Sequence, residues 1–247
     1  MRLDVFLTPG ELGVSDLPDR TAVVIDILRA STTIVEALSA GAKSIYPVSS
    51  IEEALRLANT FGRDEVLLCG ERKCLPIDGF DLGNSPREFT AENVAGKTLV
   101  MSTTNGTNVM ALAASAARVY IGSLLNLGAI VEELVRSEAD PVLICSGREK
   151  QFALEDAACA GLMASRLMEQ RPGEWELNDG ARAAVALARE FGVHETLFRM
   201  TAAGKNISES GLEEDLAFSA RVDVHDILPV LHERNITLAT APVSTSS

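Results

Sequence analysis

The sequence predicts an α/β fold, a three-layer α/β/α arrangement around a mostly parallel sheet. Three observations carry this. Short apolar runs without polar alternation, such as Ala22-Val23-Val24-Ile25, have the pattern of strands buried on both faces. These runs alternate with helical segments along much of the chain. No low-complexity linker or strict repeat interrupts the alternation. With 247 residues, 47% of them hydrophobic, the chain can fill one large core or two small ones. Residues 1–240 are read as one domain, with two lobes parting near 125–140 as the alternative, and residues 241–247 as a disordered tail.

The elements follow in order. Leu3–Leu7 is a short strand, and Pro9-Gly10 and Leu17-Pro18-Asp19 break the chain after it. Ala22–Ile25 is a central strand. A helix is expected from Thr33, which has capping-box spacing with Glu36, and Gly41 closes it. Ser44–Val48 is a strand. Ser49-Ser50 with Glu52 and Glu53 then start a helix that runs to about Phe61-Gly62. Glu65–Cys69 is a strand that empties into a loop long enough to suggest function, GERKCLPIDGFDLGNSPREFT. Strands at Thr98–Ser102, Val119–Ile121 and Val142–Cys145 alternate with helices at Asn108–Ala116, Asn126–Ser137 and a last one reaching about Gln170. Beyond it the alternation weakens: Ala181–Phe191 is helical, residues 204–226 are polar and turn-rich, and Ile236–Ala239 ends the series.

A net charge of −13 and a pI near 4.7 argue against nucleic acid or an anionic membrane as partner. No apolar run reaches the ~18 residues of a membrane span. The N-terminus reads as strand and turn, not as a secretory leader, so a soluble cytoplasmic protein is expected. The oligomeric state is left open between monomer and homodimer. None of the four cysteines forms a C-x-x-C pair, and only Cys74, in a loop, is placed to react.

The chemistry lies in a recurrence. Strand ends supply Asp26, Arg29, Ser31 and Thr32; Gly70, Glu71, Arg72 and Lys73, with Asp78 and Asp81 beyond; Thr103, Thr104, Asn105, Gly106 and Thr107; and Ser146, Gly147, Arg148, Glu149 and Lys150, then Glu155 and Asp156. Parallel strands bring such ends to one sheet edge, where ligands bind. Glycines and hydroxyls suit an anion, and several carboxylates beside basic residues suit a divalent cation shared with a phosphate. Singly, each stretch has a plainer explanation. Asn105-Gly106 is a turn and Thr107 a helix cap; Glu155-Asp156 complements a helix dipole; Arg148 and Lys150 are solvated charges. Asp26–Arg29 is a surface ion pair. The case rests on their meeting at one edge.

Familiar motifs do not fit. Gly96-Lys97-Thr98 resembles a Walker A ending, but Ala91 stands where its first glycine belongs. Asp26-Ile27-Leu28 lacks a second aspartate, neither Cys69 nor Cys145 has an arginine at phosphatase spacing, and no G-x-S-x-G occurs. His194, His225 and His232 read as structural or surface residues, with His225, beside Asp223 and Asp226, the one candidate for acid–base work.

Six ordered blocks, VVIDILRASTT, CGER, GFDLGNSP, TTNGT, ALEDAACAG and DLAFSARVD, together resemble the 2-phosphosulfolactate phosphatase family from about Leu3 to Ile236. The resemblance implies a magnesium-dependent phosphomonoesterase that converts 2-phospho-3-sulfolactate to sulfolactate and phosphate, a step on the route to coenzyme M in methanogens. Carried over by block, it points to Asp26 and Arg29, Glu71 and Arg72, Asp81, Asn84 and Ser85, the Thr103–Gly106 turn, and Glu155 and Asp156. The chain departs from the family pattern at Ser102, at Ser219 and at Lys73-Cys74, where more glycine is expected, and this leaves the exact substrate open. Asp26, Glu71 and Asp156, then Asp81 and Glu155, are the expected magnesium ligands. Arg29, Arg72 and Arg148 would hold the phosphate and the substrate's other anionic groups, and the Thr103–Thr107 turn would cradle phosphate oxygens. Ser31, Thr32 and Asn84 complete the binding set. The nucleophile is either water activated at the metal or Asp26 itself. A phosphatase for another phosphorylated hydroxy acid, and a non-catalytic anion-binding protein on the same fold, are the alternatives.

Overall fold

The computed structural model describes residues 1–13 and 15–239; the expected tail at 241–247 lies outside them. In chain order the strands and α-helices are β1 (Arg2–Phe6), β2 (Thr21–Ile25), α1 (Ala30–Ser39), β3 (Ser44–Pro47), α2 (Ile51–Ala58), β4 (Val66–Arg72), β5 (Leu75–Pro76), α3 (Ala91–Val94), β6 (Thr98–Ser102), α4 (Gly106–Ala113), β7 (Arg118–Gly122), α5 (Leu127–Arg136) and β8 (Pro141–Cys145). Then follow α6 (Leu154–Gln170), β9 (Glu176–Leu177), α7 (Asp179–Phe191), α8 (Glu195–Met200), α9 (Ala202–Glu209), α10 (Glu214–Ser219), β10 (Pro229–His232) and β11 (Asn235–Leu238).

The strands form one sheet in the order β5-β4-β6-β3-β11-β10-β7-β2-β8-β1-β9. Two parallel blocks are joined by the C-terminal hairpin β10–β11, which pairs antiparallel with β7 on one side and β3 on the other. The α/β, mostly parallel expectation holds, although three antiparallel pairings in series separate the blocks.

β2 shows why the sequence reads as it does. Val23 and Ile25 join a core cluster with side chains of α5, α6 and α7, while Ala22 and Val24 join another with side chains of α1 and α4. A strand covered on both faces has no polar side to show. Val24 and Ile25 retain no exposed surface, and burying each contributes about 1.5–3 kcal/mol.

Local chemistry sets the helix starts. Ser50 Oγ accepts the Glu53 N–H and opens α2, and Asn178 does the same for α7 through Ala181. α1 is an exception. It begins at Ala30 with no side-chain cap, and Thr33 and Glu36 lie inside it. Glu36 reaches across to His225 instead. β4 also runs past Cys69 through Arg72, so the residues expected to open a loop form a strand and a hairpin. The C-terminal third holds β9, α8, α9, α10 and β10, which sequence periodicity did not mark. Among the described residues no helix is long and apolar enough to cross a membrane.

Candidate active site

Strand ends from both blocks open into one cavity of about 670 Å³. Its floor starts at the turn after β2. The Asp26 N–H donates to Ser31 Oγ at 2.6 Å, and Asp26 Oδ1 accepts the Ala30 N–H at 3.2 Å. Thr32 Oγ1 donates to the Ile27 carbonyl, and Thr33 Oγ1 to that of Asn84. The hydroxyls expected to meet substrate are thus spent on folding this turn, and Ser31 and Thr32 do not line the cavity.

Arg29 is likewise engaged. Its Nη1 lies 2.7 Å from Asp215 Oδ2, and Nη2 donates to the Cys74 carbonyl at 3.0 Å. Both partners of this ion pair are buried, so Arg29 is neither a surface partner of Asp26 nor a free phosphate clamp. Arg72 is held in the same manner. It donates to the carbonyls of Glu71 and Ser102 and to Ser102 Oγ, which fastens β4 to β6. Gly70, between these strands, has no room for a side chain: a Cβ there would fall 2.1 Å from the Ser102 carbonyl oxygen.

Glu71 organises the opposite wall. Oε1 accepts the Thr104 N–H at 2.9 Å and its hydroxyl at 2.7 Å, and Oε2 accepts the Cys74 N–H at 2.9 Å. Thr103 and Thr107 bond each other through their hydroxyls. Thr107 and Gly106 stand behind the lining. Gly106 backs onto the floor, where a Cβ would lie 2.8 Å from Asp26 Oδ2. Asn105 Oδ1 accepts the Glu149 N–H at 3.1 Å and ties this turn to the one after β8.

The third wall comes from β8 and the start of α6. Asp156 Oδ1 accepts the Ile27 N–H at 2.8 Å, and Oδ2 accepts Ser146 Oγ and the Gly147 N–H, each at 3.1 Å. Asp156 therefore binds the turns after β2 and β8 together. Beside it, Glu155 is buried at the cavity wall.

These carboxylates strain against burial. Asp26 has its pKa pushed up to about 6, first by burial and then by Glu71 and Glu155, against the Ser146 hydroxyl and the Ala30 N–H. Burial also raises Glu155, opposed by the Thr201 hydroxyl and Arg148. Asp156 is raised well above its ordinary value by burial, Asp26 and Glu155. No salt bridge reaches any of the three among the described residues. Buried, unpaired carboxylates are costly, and the cost falls if a cation joins them.

Of the expected residues, Asp26, Arg29, Glu71, Arg72, Asn84, Thr103, Thr104, Asn105, Arg148, Glu155 and Asp156 line the cavity. Asp81 does not. It is exposed, and its Oδ2 accepts the Leu68 N–H at 2.8 Å, which removes it from the metal set. Sequence reasoning missed Asn206, Glu209 and Ser210, which α9 and its C-cap bring to the rim; the segment carries only a polar composition as a signal. Asn84 Oδ1 is buried with no hydrogen-bond partner, so it has bonding capacity to spare. Cys74 is half-buried with its thiol pushed up mainly by burial, which disfavours the reactive thiolate expected of it. His225 bonds Ser39 and Glu36 outside the cavity, and His194 caps α8, so neither serves the cleft.

Among the described residues no three His, Cys, Asp or Glu side chains converge in a ready-made metal site. Magnesium, the expected ion, would need only one or two protein carboxylates, with several waters and substrate oxygens. Glu71 and Asp156 already accept three donors each. Asp26 and Glu155 are left as the pair whose chemistry fits the ion.

Comparisons agree with this site. A sequence model of the family described as 2-phosphosulpholactate phosphatase matches residues 6–234. A probable 2-phosphosulfolactate phosphatase of Symbiobacterium thermophilum is 42% identical over 90% of this chain and 96% of its own length. Relatives of the same description from Caldanaerobacter subterraneus and Thermotoga maritima are 38% and 40% identical, over 94% and 93% of this chain and 95% of each relative. By coverage and identity, the chain belongs to the 2-phosphosulpholactate phosphatase family.

Proposed function

We propose that this protein hydrolyses the phosphate monoester of 2-phospho-3-sulfolactate, giving sulfolactate and phosphate, with magnesium as cofactor. The observation that carries the reading is the floor itself: Asp26, Glu155 and Asp156, all buried, without a cationic partner among the described residues, at the bottom of a cavity whose walls bear Arg148 and a turn rich in hydroxyl and amide donors. A binding protein for anions has no use for such a floor, since bare carboxylates repel its ligand.

In this reading Asp26 and Glu155 hold magnesium, and Asp156 and Glu71 position them. When bound, magnesium would neutralise charge on the phosphate and polarise its oxygens. The substrate brings about four negative charges near neutral pH. Arg148, within Coulombic reach of Glu155, offers a guanidinium for the phosphate oxygens. Thr103, Thr104 and Asn105 offer donors from the turn after β6. Asn84, with its buried unpartnered oxygen, takes a hydrogen bond from water or ligand. Arg29 and Arg72, with their Nη atoms bonded to protein partners, chiefly support these groups. The cytoplasm is the proposed location.

The test is phosphate release from 2-phosphosulfolactate and from a panel of phosphorylated hydroxy acids, with magnesium, with excess chelator and after readdition. Turnover that needs the metal and prefers the sulfonated acid is expected. Full activity in metal-free protein would remove magnesium, and a preference for an unsulfonated acid would change the substrate.

A further inference from the structure

With Arg29 and Arg72 bonded to protein partners, the cavity's cations whose side chains make no hydrogen bond or salt bridge among the described residues are Arg148 and Lys73. They differ in depth. Arg148 is part-buried and follows directly on Ser146 and Gly147, which bond Asp156 at the floor. Lys73 is exposed and belongs to the rim.

Lys73 sits on a turn built to hold it. Arg72 pairs with Leu75, so Lys73 and Cys74 form a two-residue hairpin loop, and both have positive φ, 53° and 68°. Primed turns of this type favour asparagine or glycine. A lysine in the first central position therefore stands against backbone preference. The turn is pinned from both sides: Arg29 bonds the Cys74 carbonyl, and the Cys74 N–H bonds Glu71. The lining also carries the exposed Glu149 and Glu209, whose carboxylates repel an anion. A cation on the hairpin side is what would make the mouth hospitable to one.

We propose that Lys73 binds the anionic group of the substrate remote from the phosphate, and so sets the preference for a polyanionic acid over a plain phosphate ester. The inference rests on the phosphatase reading for what the ligand is. Its geometry follows from depth: the phosphate would lie at Arg148 above the floor, where Asp26 and Glu155 would hold magnesium, and the sulfonate or carboxylate would reach Lys73 at the mouth.

The experiment uses the full chain with magnesium and the two products as calorimetric ligands, since neither is consumed. Lys73→Gly relieves the positive φ and should fold at least as well as wild type, which thermal melts check. Lys73→Gln keeps length without charge, and Lys73→Arg restores charge. Sulfolactate affinity should fall about tenfold in the Gly and Gln variants, corresponding to about 1.4 kcal/mol. It should recover in Arg, with at least a fivefold smaller loss for inorganic phosphate. Lactate as a third ligand separates the sources. A loss confined to sulfolactate assigns Lys73 to the sulfonate, and an equal loss on lactate assigns it to the carboxylate. Unchanged sulfolactate affinity in both neutral variants, equal losses on phosphate, or no sulfolactate binding by wild type would overturn the proposal. Lysine-dependent sulfolactate binding in a protein that releases no phosphate from 2-phosphosulfolactate would instead overturn the phosphatase reading and leave Lys73 standing.

Discussion

Arg29 Nη1 lies 2.7 Å from Asp215 Oδ2, and the two side chains are 2% and 0% exposed. The pair ties the turn after β2 to α10, 186 residues away in sequence. Ser85 Oγ donates to the other Asp215 oxygen at 2.6 Å, so three distant segments meet at one carboxylate.

Breaking such a pair leaves a buried charge without a counterion. Asp215→Ala and Arg29→Ala should each destabilise by about 3–5 kcal/mol. A double change, Arg29→Met with Asp215→Leu, should cost less than the two singles together. Denaturant melts of the three variants measure this. Single variants as stable as wild type would show that the pair does not anchor the turn.

Gly106 offers a sharper probe of the floor. A methyl group there would meet Ala30 Cβ at 2.6 Å and Asp26 Oδ2 at 2.8 Å. Gly106→Ala should push the Asp26 carboxylate from its place, costing about 1–3 kcal/mol of stability and a larger share of turnover. Steady-state kinetics beside thermal melts checks it. A variant with full kcat would place the Asp26 position outside the chemistry.

Glu71 accepts three donors from two loops. Glu71→Gln sets an amide donor against one of them and should cost about 1–3 kcal/mol. Because it joins Thr104 to Cys74, both walls should loosen, and KM should rise more than kcat falls. An unchanged KM would mean that the walls hold without it.

Much of this was legible in the sequence. Runs such as Val23–Ile25 marked the strands because burial on both faces leaves only apolar side chains. The strand ends placed Asp26, Glu71, Thr104 and Asp156 around one cleft, because short polar segments after buried strands have nowhere else to lie. The role of Arg29 was not legible. Its partner, Asp215, lies in a segment whose short helices, α9 and α10, carry too few turns to show a period. Asp81 misled for a related reason: a carboxylate that satisfies a strand N–H, as it does for Leu68, looks in sequence like one that binds a metal. Ser31, Thr32 and Thr107 were read as substrate donors, but a sharp turn consumes its own hydroxyls before a ligand can.

The floor carries a last consequence, for pH. Asp26 has an ordinary pKa of 3.8 and is pushed up to about 6, chiefly by burial. Its protonated form is therefore favoured by folding, and between those values the folded chain holds the proton that the unfolded chain has lost. The stability this group supplies is present in full below 3.8 and is lost as pH rises through about 6. At pH 7 the ionised carboxylate opposes folding by up to about 3 kcal/mol. Glu155 and Asp156, raised for the same cause, act in the same direction. Asp26→Asn keeps the shape and removes the charge. Without magnesium it should melt several degrees above wild type at pH 7 and near wild type at pH 4, while turnover is lost. Added magnesium should stabilise wild type at pH 7 and leave the variant nearly unmoved, since a ligand that binds the native state raises its stability. In wild type, turnover should climb through the same window as Asp26 ionises. Melts of both proteins at the two pH values, with and without magnesium, decide it. An Asp26→Asn protein no more stable than wild type at pH 7 would mean that the charge is compensated within the fold and has no need of a cation.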